Sequence, residues 1–353
     1  MSAETCTDCG RCVPHCPVLR DSEIRPQKFF ADKTEAEKAA LACVDCNLCF
    51  TLCGEDLHIG AVFKAQRLPL LKAPSKQVKK GIKTALTHQK LSFSKLFTAA
   101  RKPAGSISKV AFMPGCSFAN RSPALIGAVY AHLKTLYPGI GYLQQCCGKP
   151  TLATGETALF NEYYGRLERD IAALQAETVI TACENCYMML KKKSPQVKTV
   201  SLYEALLAGD APEKAKDRLA KAPEMALHDP CPTRDEPVLH ESTRALLHRA
   251  GAPVKEFKFN RQKTLCCGAG NMTGLINPGA CVDQARHRID QAGCEHIVTY
   301  CQSCTDVFNY QGKNTLHLME LLFDEGVVKR GFKGVKMGPV TRWANRFLNR
   351  FTR

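Results

Sequence analysis

The chain has 353 residues, 45% hydrophobic and 23% charged, which is material for two or three domains with real cores and excludes wholesale disorder or a disulfide-stapled mini-protein. No apolar run approaches the roughly eighteen residues of a membrane span, and the first residues lack the basic-then-apolar pattern of a signal peptide, so a cytoplasmic location is expected. The net charge of +16 is uneven: residues 57–155 carry fifteen Lys and Arg and no acid, and residues 326–353 carry eight and none, with no base-reading module beside them, so nucleic acid is not the expected partner.

Twenty cysteines in a reducing compartment point to metal and not to disulfides. Residues 1–60 hold eight of them. Cys6, Cys9, Cys12 and Cys16, followed by Pro17, have the spacing of the bacterial two-cluster ferredoxin run, and Cys43, Cys46, Cys49 and Cys53 repeat it with Gly54 in place of the proline. In such a run three cysteines wrap one cluster and the fourth serves the other. One 4Fe-4S cubane is therefore expected on Cys6, Cys9, Cys12 and Cys53, and a second on Cys16, Cys43, Cys46 and Cys49. Zinc is the alternative, because paired Cys-x2-Cys motifs also build zinc sites. The Ala, Glu and Lys content of Phe29 to Leu41 predicts helix between the runs.

Residues 61–108 form a basic connector. Pro69, Pro74 and Pro103 punctuate it, and Ile82, Leu86, Phe93, Leu96 and Phe97 at near-helical spacing predict amphipathic helices.

Residues 109–210 and 211–330 are one unit used twice. Each opens on a short apolar run ending near a cysteine, Cys116 or Cys231. Each continues through Cys-Cys-Gly, at Cys146-Cys147-Gly148 or Cys266-Cys267-Gly268, and reaches a Cys-x2-Cys pair, Cys183 and Cys186 or Cys301 and Cys304. Strand-like runs at Val110 to Met113, Val179 to Thr181 and Ile297 to Tyr300 alternate with helical stretches at Leu159 to Leu174 and Val282 to Gln291. That alternation predicts a parallel, Rossmann-like α/β unit with ligands at the strand ends. The fold class is thus mixed α+β and α/β: a helical two-cluster ferredoxin-like domain, then two repeated α/β units. Five thiols per unit exceed the needs of one tetrahedral zinc or one cubane, and the glycine after each Cys-Cys supplies the tight bend that aims neighbouring thiols at one cofactor.

The pattern resembles the CCG-domain (cysteine-rich domain) iron-sulfur family, which includes the B and D subunits of heterodisulfide reductase and the iron-sulfur subunits of glycolate oxidase, lactate dehydrogenase and anaerobic glycerol-3-phosphate dehydrogenase. The resemblance runs to about residue 326. It implies one CCG-type 4Fe-4S cluster, non-cubane in heterodisulfide reductase, on Cys116, Cys146, Cys147, Cys183 and Cys186, and another on Cys231, Cys266, Cys267, Cys301 and Cys304. Cys281 and Cys294 are left over as small buried hydrophobes.

The resemblance implies an electron-transfer subunit of a larger oxidoreductase with a flavoprotein partner. Two alternatives stay open: a disulfide reductase whose two CCG units are the catalytic site, and a zinc-stabilised scaffold. Gly268, Gly270 and Gly274 do not make a dinucleotide loop, and His15 and His228, which stand near cluster cysteines where a hydrogen bond to a cluster is one use of a histidine, are read as incidental. In the tail, residues 331–353, Trp343, Phe347 and Phe351 fall four apart beside Arg342, Arg346, Arg350 and Arg353. Such a helix suits an anionic membrane surface, which would put the protein peripherally on the inner face of the cytoplasmic membrane, or an acidic partner groove, or packing on its own domain.

Overall fold

The computed structural model describes residues 6–21, 33–209, 212 and 214–353. The helix expected over Phe29 to Leu41 is seen as Lys33–Ala42; residues 29–32 lie outside the described residues. The connector forms two helices, Ile59–Lys72 and Lys76–Ser92. The first runs through Pro69 and crosses the expected boundary at residue 60, while Ser75 caps the second by accepting from the Val78 amide.

Two sheets carry the repeated units. The first is ordered β1-β3-β2-β4-β5, with β1 Ala99–Arg101, β2 Val110–Met113, β3 Gly141–Gln144, β4 Thr178–Thr181 and β5 Lys198–Ser201. The second is ordered β7-β6-β8-β9, with β6 Met225–His228, β7 Val254–Glu256, β8 His296–Thr299 and β9 Asn314–His317. All pairs are parallel except β1 with β3. The α/β repeat is therefore as expected, and β2, β3, β4 and β5 correspond to β6, β7, β8 and β9. The antiparallel edge strand β1 comes from the basic connector and was not legible as a strand: three residues, Ala-Ala-Arg, carry no periodicity.

One apolar core joins the two sheets, with Phe112, Tyr142 and Ile180 on the first side and Leu227, Val298 and Leu316 on the second. The opposite face of the second sheet, through Ala226 and Ile297, packs with Val44 of the ferredoxin-like segment. Alternate residues of each short strand thus serve two different cores.

The C-terminal helix, Pro339–Asn349, lies on its own chain. Trp343 packs at a tilt against Phe97 and His88, at 4.6 and 5.0 Å between ring centroids. Arg346 is fully buried and donates to the Oγ and carbonyl of Ser92 at 2.9 and 3.2 Å, and Asn349 donates to the carbonyls of Ala119 and Arg121. Arg342 pairs with Asp306 at 3.0 Å. Phe351 falls beyond the helix end, so the three aromatics do not form one exposed stripe. No helix among the described residues is long and apolar enough to cross a membrane.

Candidate metal centres

The two ferredoxin runs fold into like-shaped loops. Asp8 and Gly10 in the first, and Asp45 and Asn47 in the second, all adopt positive φ, which turns the backbone around the thiols. The loops interleave. Burial, with the neighbouring charges of Cys53, Cys6 and Cys9, pushes the Cys12 thiol up to about 11. Burial, with the charges of Cys46 and Cys49, pushes Cys16 up to about 12, and Cys43 feels Cys16, Cys46 and Cys49 in the same way. The chain thus brings together Cys6, Cys9, Cys12 and Cys53 as one group and Cys16, Cys43, Cys46 and Cys49 as the other. The groups adjoin, since Cys49 also feels Cys12.

In the repeated units the thiols gather past the C-terminal ends of the strands, where an open α/β sheet leaves a crevice. Cys183 and Cys301 are the N-cap residues of the helices Glu184–Lys193 and Gln302–Tyr310, so each Cys-x2-Cys pair sits at a helix N-terminus. The five thiols of the first unit run in side-chain contact in the order Cys116, Cys146, Cys147, Cys186, Cys183. Those of the second follow the same order, Cys231, Cys266, Cys267, Cys304, Cys301, with Cys231 Sγ 3.4 Å from Cys266 Sγ. The central thiol of each row accepts from both neighbours and is held below its ordinary range: Cys147 by Cys146 and Cys186, Cys267 by Cys266 and Cys304.

Gly148 and Gly268 follow the Cys-Cys pairs at φ of 73° and 93°, the bend expected of them. At Gly268 a Cβ would stand 2.5 Å from the Cys281 carbonyl oxygen, so only glycine fits. Cys281 itself is buried, and Cys294 is half-buried and donates to the His296 carbonyl at 3.1 Å.

Several neighbours of the thiols went unread in the sequence. Gln89, fully buried in the connector helix, accepts from Cys146 Sγ at 3.6 Å and from Thr151 Oγ1 at 3.3 Å. Glu184 is buried between the units: burial, and then the charges of Cys301 and Cys183, hold its carboxyl well above the usual range. Ser117 of the first unit and Ser303 of the second stand 3.5 Å apart, so the two five-thiol groups face one another. On the other side of the second group, Cys46 lies close enough for its charge to be felt by Cys231 and Cys266. Arg234 links them, donating to the carbonyls of Cys46, Gln262 and Thr264. Gly270, just past the second Cys-Cys-Gly, meets the Val44 carbonyl so closely that a Cβ would stand 2.0 Å from it; this glycine serves the fit between units.

The donor sets fit iron-sulfur clusters on their chemistry. They are all sulfur, the soft donor that selects iron-sulfur clusters, zinc or Cu(I), they converge in fours and fives, and none of the twenty cysteines is spent on a disulfide.

Comparison with known proteins agrees. A 4Fe-4S dicluster domain model matches residues 5–58, and a cysteine-rich domain model matches twice, at residues 110–191 and 225–309. The chain is 23% identical to the B subunit of fumarate reductase (CoM/CoB) from Methanothermobacter marburgensis, over 91% of this chain and 68% of that one. It is also 23% identical to the D subunit of dihydromethanophenazine:CoB–CoM heterodisulfide reductase from Methanosarcina mazei, over 83% and 84%. An uncharacterised iron-sulfur protein of Methanococcus maripaludis is 24% identical over 85% and 66%. With the thiols gathered as they are and both domain models matched, the chain belongs to the iron-sulfur proteins of the CCG cysteine-rich domain family, here two such domains joined to a 4Fe-4S dicluster domain.

Proposed function

We propose that this chain is the electron-transfer subunit of a multi-subunit oxidoreductase, passing electrons between two ferredoxin-type 4Fe-4S clusters and two CCG-type clusters. The observation that carries the reading is the order of the four thiol groups in space. The Cys6 group adjoins the Cys16 group through Cys12 and Cys49. The Cys16 group adjoins the second CCG group through Cys46, and the two CCG groups meet across Glu184 and the Ser117–Ser303 contact. Bound in these groups, iron-sulfur clusters supply one-electron transfer. The chain's own part is to hold the groups in line and exclude water. Arg234 pins the Cys46 loop, Arg67 donates to the carbonyls of Ala40, Leu41 and Asn271, and Asn271 returns a bond to the Cys43 carbonyl.

The donor is proposed to be a flavoprotein dehydrogenase acting on a hydroxy acid or similar substrate. The second reading, disulfide reduction at the paired CCG groups, is favoured by their facing arrangement and by a relative that is named as part of a heterodisulfide reductase. It requires two electrons and two protons to turn one disulfide into two thiols, and the pair of one-electron groups supplies the electrons. Contact with an anionic membrane would use Val340, Leu348 and Phe351, which are exposed, and not the buried Arg346.

The two readings part in one assay. Isolated protein, reduced anaerobically, is mixed with a disulfide, and separately with an oxidised flavoprotein hydroxy-acid dehydrogenase. Reoxidation by the disulfide, with two thiols released per two electrons, selects the reductase. Electron exchange with the flavoprotein alone selects the relay, and neither exchange refutes both.

A further inference from the structure

One buried imidazole is not accounted for by the thiol groups. His228 is the last residue of β6, fully buried, with the rings of Phe257 and Phe308 meeting it edge-on. Its Nδ1 accepts from Arg288 Nε at 3.1 Å. A guanidinium has only donors, so this Nδ1 carries no proton and the single proton of the neutral ring sits on Nε2. Nε2 has no hydrogen-bond partner among the described residues. A ring nitrogen of His228 lies within 4.8 Å of the sulfurs of both Cys267 and Cys304, and with Nδ1 engaged by Arg288, Nε2 is the one with a proton to offer.

We propose that the Nε2–H of His228, unpartnered by the thiols themselves, is donated to sulfur of the cluster that the second CCG group would hold, and so sets that cluster at a higher reduction potential than the one in the first group. A hydrogen bond to sulfur stabilises the more negative, reduced state, and such bonds are among the recognised levers on iron-sulfur potentials.

The first unit lacks the device. Counting three residues back from Cys116 gives Met113, as three back from Cys231 gives His228. The sheets confirm the match: Met113 pairs with Thr181 in the same register in which His228 pairs with Thr299. A thioether has no proton to donate.

The residue that orients the ring differs too. Thirteen positions before Cys301 stands Arg288, buried and cationic; thirteen before Cys183 stands Asp170, which accepts from the Gln145 side chain at 2.8 Å. Each group has a buried cation nearby, Arg288 at the second and Arg346 at the first, so the difference between them lies in the imidazole donor and in Asp170 near the first group. An electron arriving through the Cys46 side therefore rests in the second group, and the first group is the stronger reductant.

The inference rests on the second group holding a cluster, so iron is counted first in the wild-type protein; iron missing there refutes the functional reading itself. With iron present, anaerobic redox titration followed by electron paramagnetic resonance compares wild type with His228→Met, which copies the first unit, and His228→Gln, which keeps an N–H donor. In His228→Met one midpoint is expected to fall so that the reduced-to-oxidised ratio at fixed potential drops about tenfold, about 59 mV for one electron. The other midpoints stay, iron content is unchanged, and His228→Gln recovers part of the shift. An unmoved midpoint at full iron overturns the proposal. So does loss of that cluster's iron in His228→Met alone, which would make the imidazole a ligand. A measurement free of any variant uses 15N-histidine-labelled wild type in pulsed paramagnetic resonance. A weak nitrogen coupling to one reduced cluster is expected; no coupling, or the strong coupling of a bonded nitrogen, overturns it.

Discussion

Arg234 Nε donates to the Cys46 carbonyl at 3.0 Å, tying a side chain of the second CCG unit to the backbone of a ferredoxin-type loop 188 positions away. The same buried guanidinium reaches the carbonyls of Gln262 and Thr264, so three loops share one cation. Arg234→Met leaves those buried acceptors unpaired. It is expected to cost about 3 kcal/mol in chemical denaturation. Iron content should hold while electron passage from the ferredoxin-type clusters to the CCG groups slows in stopped-flow reduction.

A buried ion pair closes the contact between the repeated units. Arg121, just after the first cysteine segment, meets Glu320, whose side chain also accepts from the His317 amide to cap the helix Leu318–Phe323. Removing Arg121 leaves the buried Glu320 carboxylate with only the looser contact to Arg330 at 3.7 Å, so Arg121→Met is expected to lose about 3 kcal/mol. Arg121→Met with Glu320→Gln should cost less than the sum of the single changes. Additive losses in urea titrations would show that the two residues are not coupled.

Gly268→Ala tests the bend behind the second Cys-Cys pair. The alanine would sit at positive φ with its methyl against the Cys281 carbonyl. A loss of about 2 kcal/mol is expected. In protein loaded with clusters as proposed, the visible absorption contributed by the second CCG group should fall while the rest remains.

Much of this was written in the cysteines. Their spacing exposed the duplication, placed the thiols at strand ends and separated the dicluster segment, because ligand geometry fixes spacing while surface residues vary freely. The strands at Val110 and Thr178 showed for the same reason: short apolar runs ending near a ligand. What stayed hidden is tertiary. Gln89 and Arg234 approach thiol groups from distant segments, and no local pattern announces them. In the tail, the period of Trp343 and Phe347 correctly gave an amphipathic helix but not what covers it. Arg346 reads as a surface charge until Ser92 is seen to accept its hydrogen bonds.

That helix carries a pH dependence. Burial, and then the charges of Arg346 and Arg342, lower the His88 imidazole to about 4. Released from its site the ring would titrate near 6.5, so the undocked state binds the proton first. Docking is thus at full strength above about pH 6.5 and weakens as pH falls toward 4, by an amount on the order of 3 kcal/mol. Trp343, the sole tryptophan, touches His88 and reports it. Its emission should shift to the red between pH 6.5 and 4, and His88→Phe should flatten that response.

Everything said of electron passage depends on iron in all four thiol groups. Anaerobically purified protein, assayed for iron, acid-labile sulfide and zinc together with its visible spectrum, gives the most direct answer. About sixteen irons per chain, matching sulfide and broad sulfur-to-iron absorption are predicted for four 4Fe-4S clusters. Colourless protein that retains zinc, and takes up no iron on reconstitution, would contradict the account.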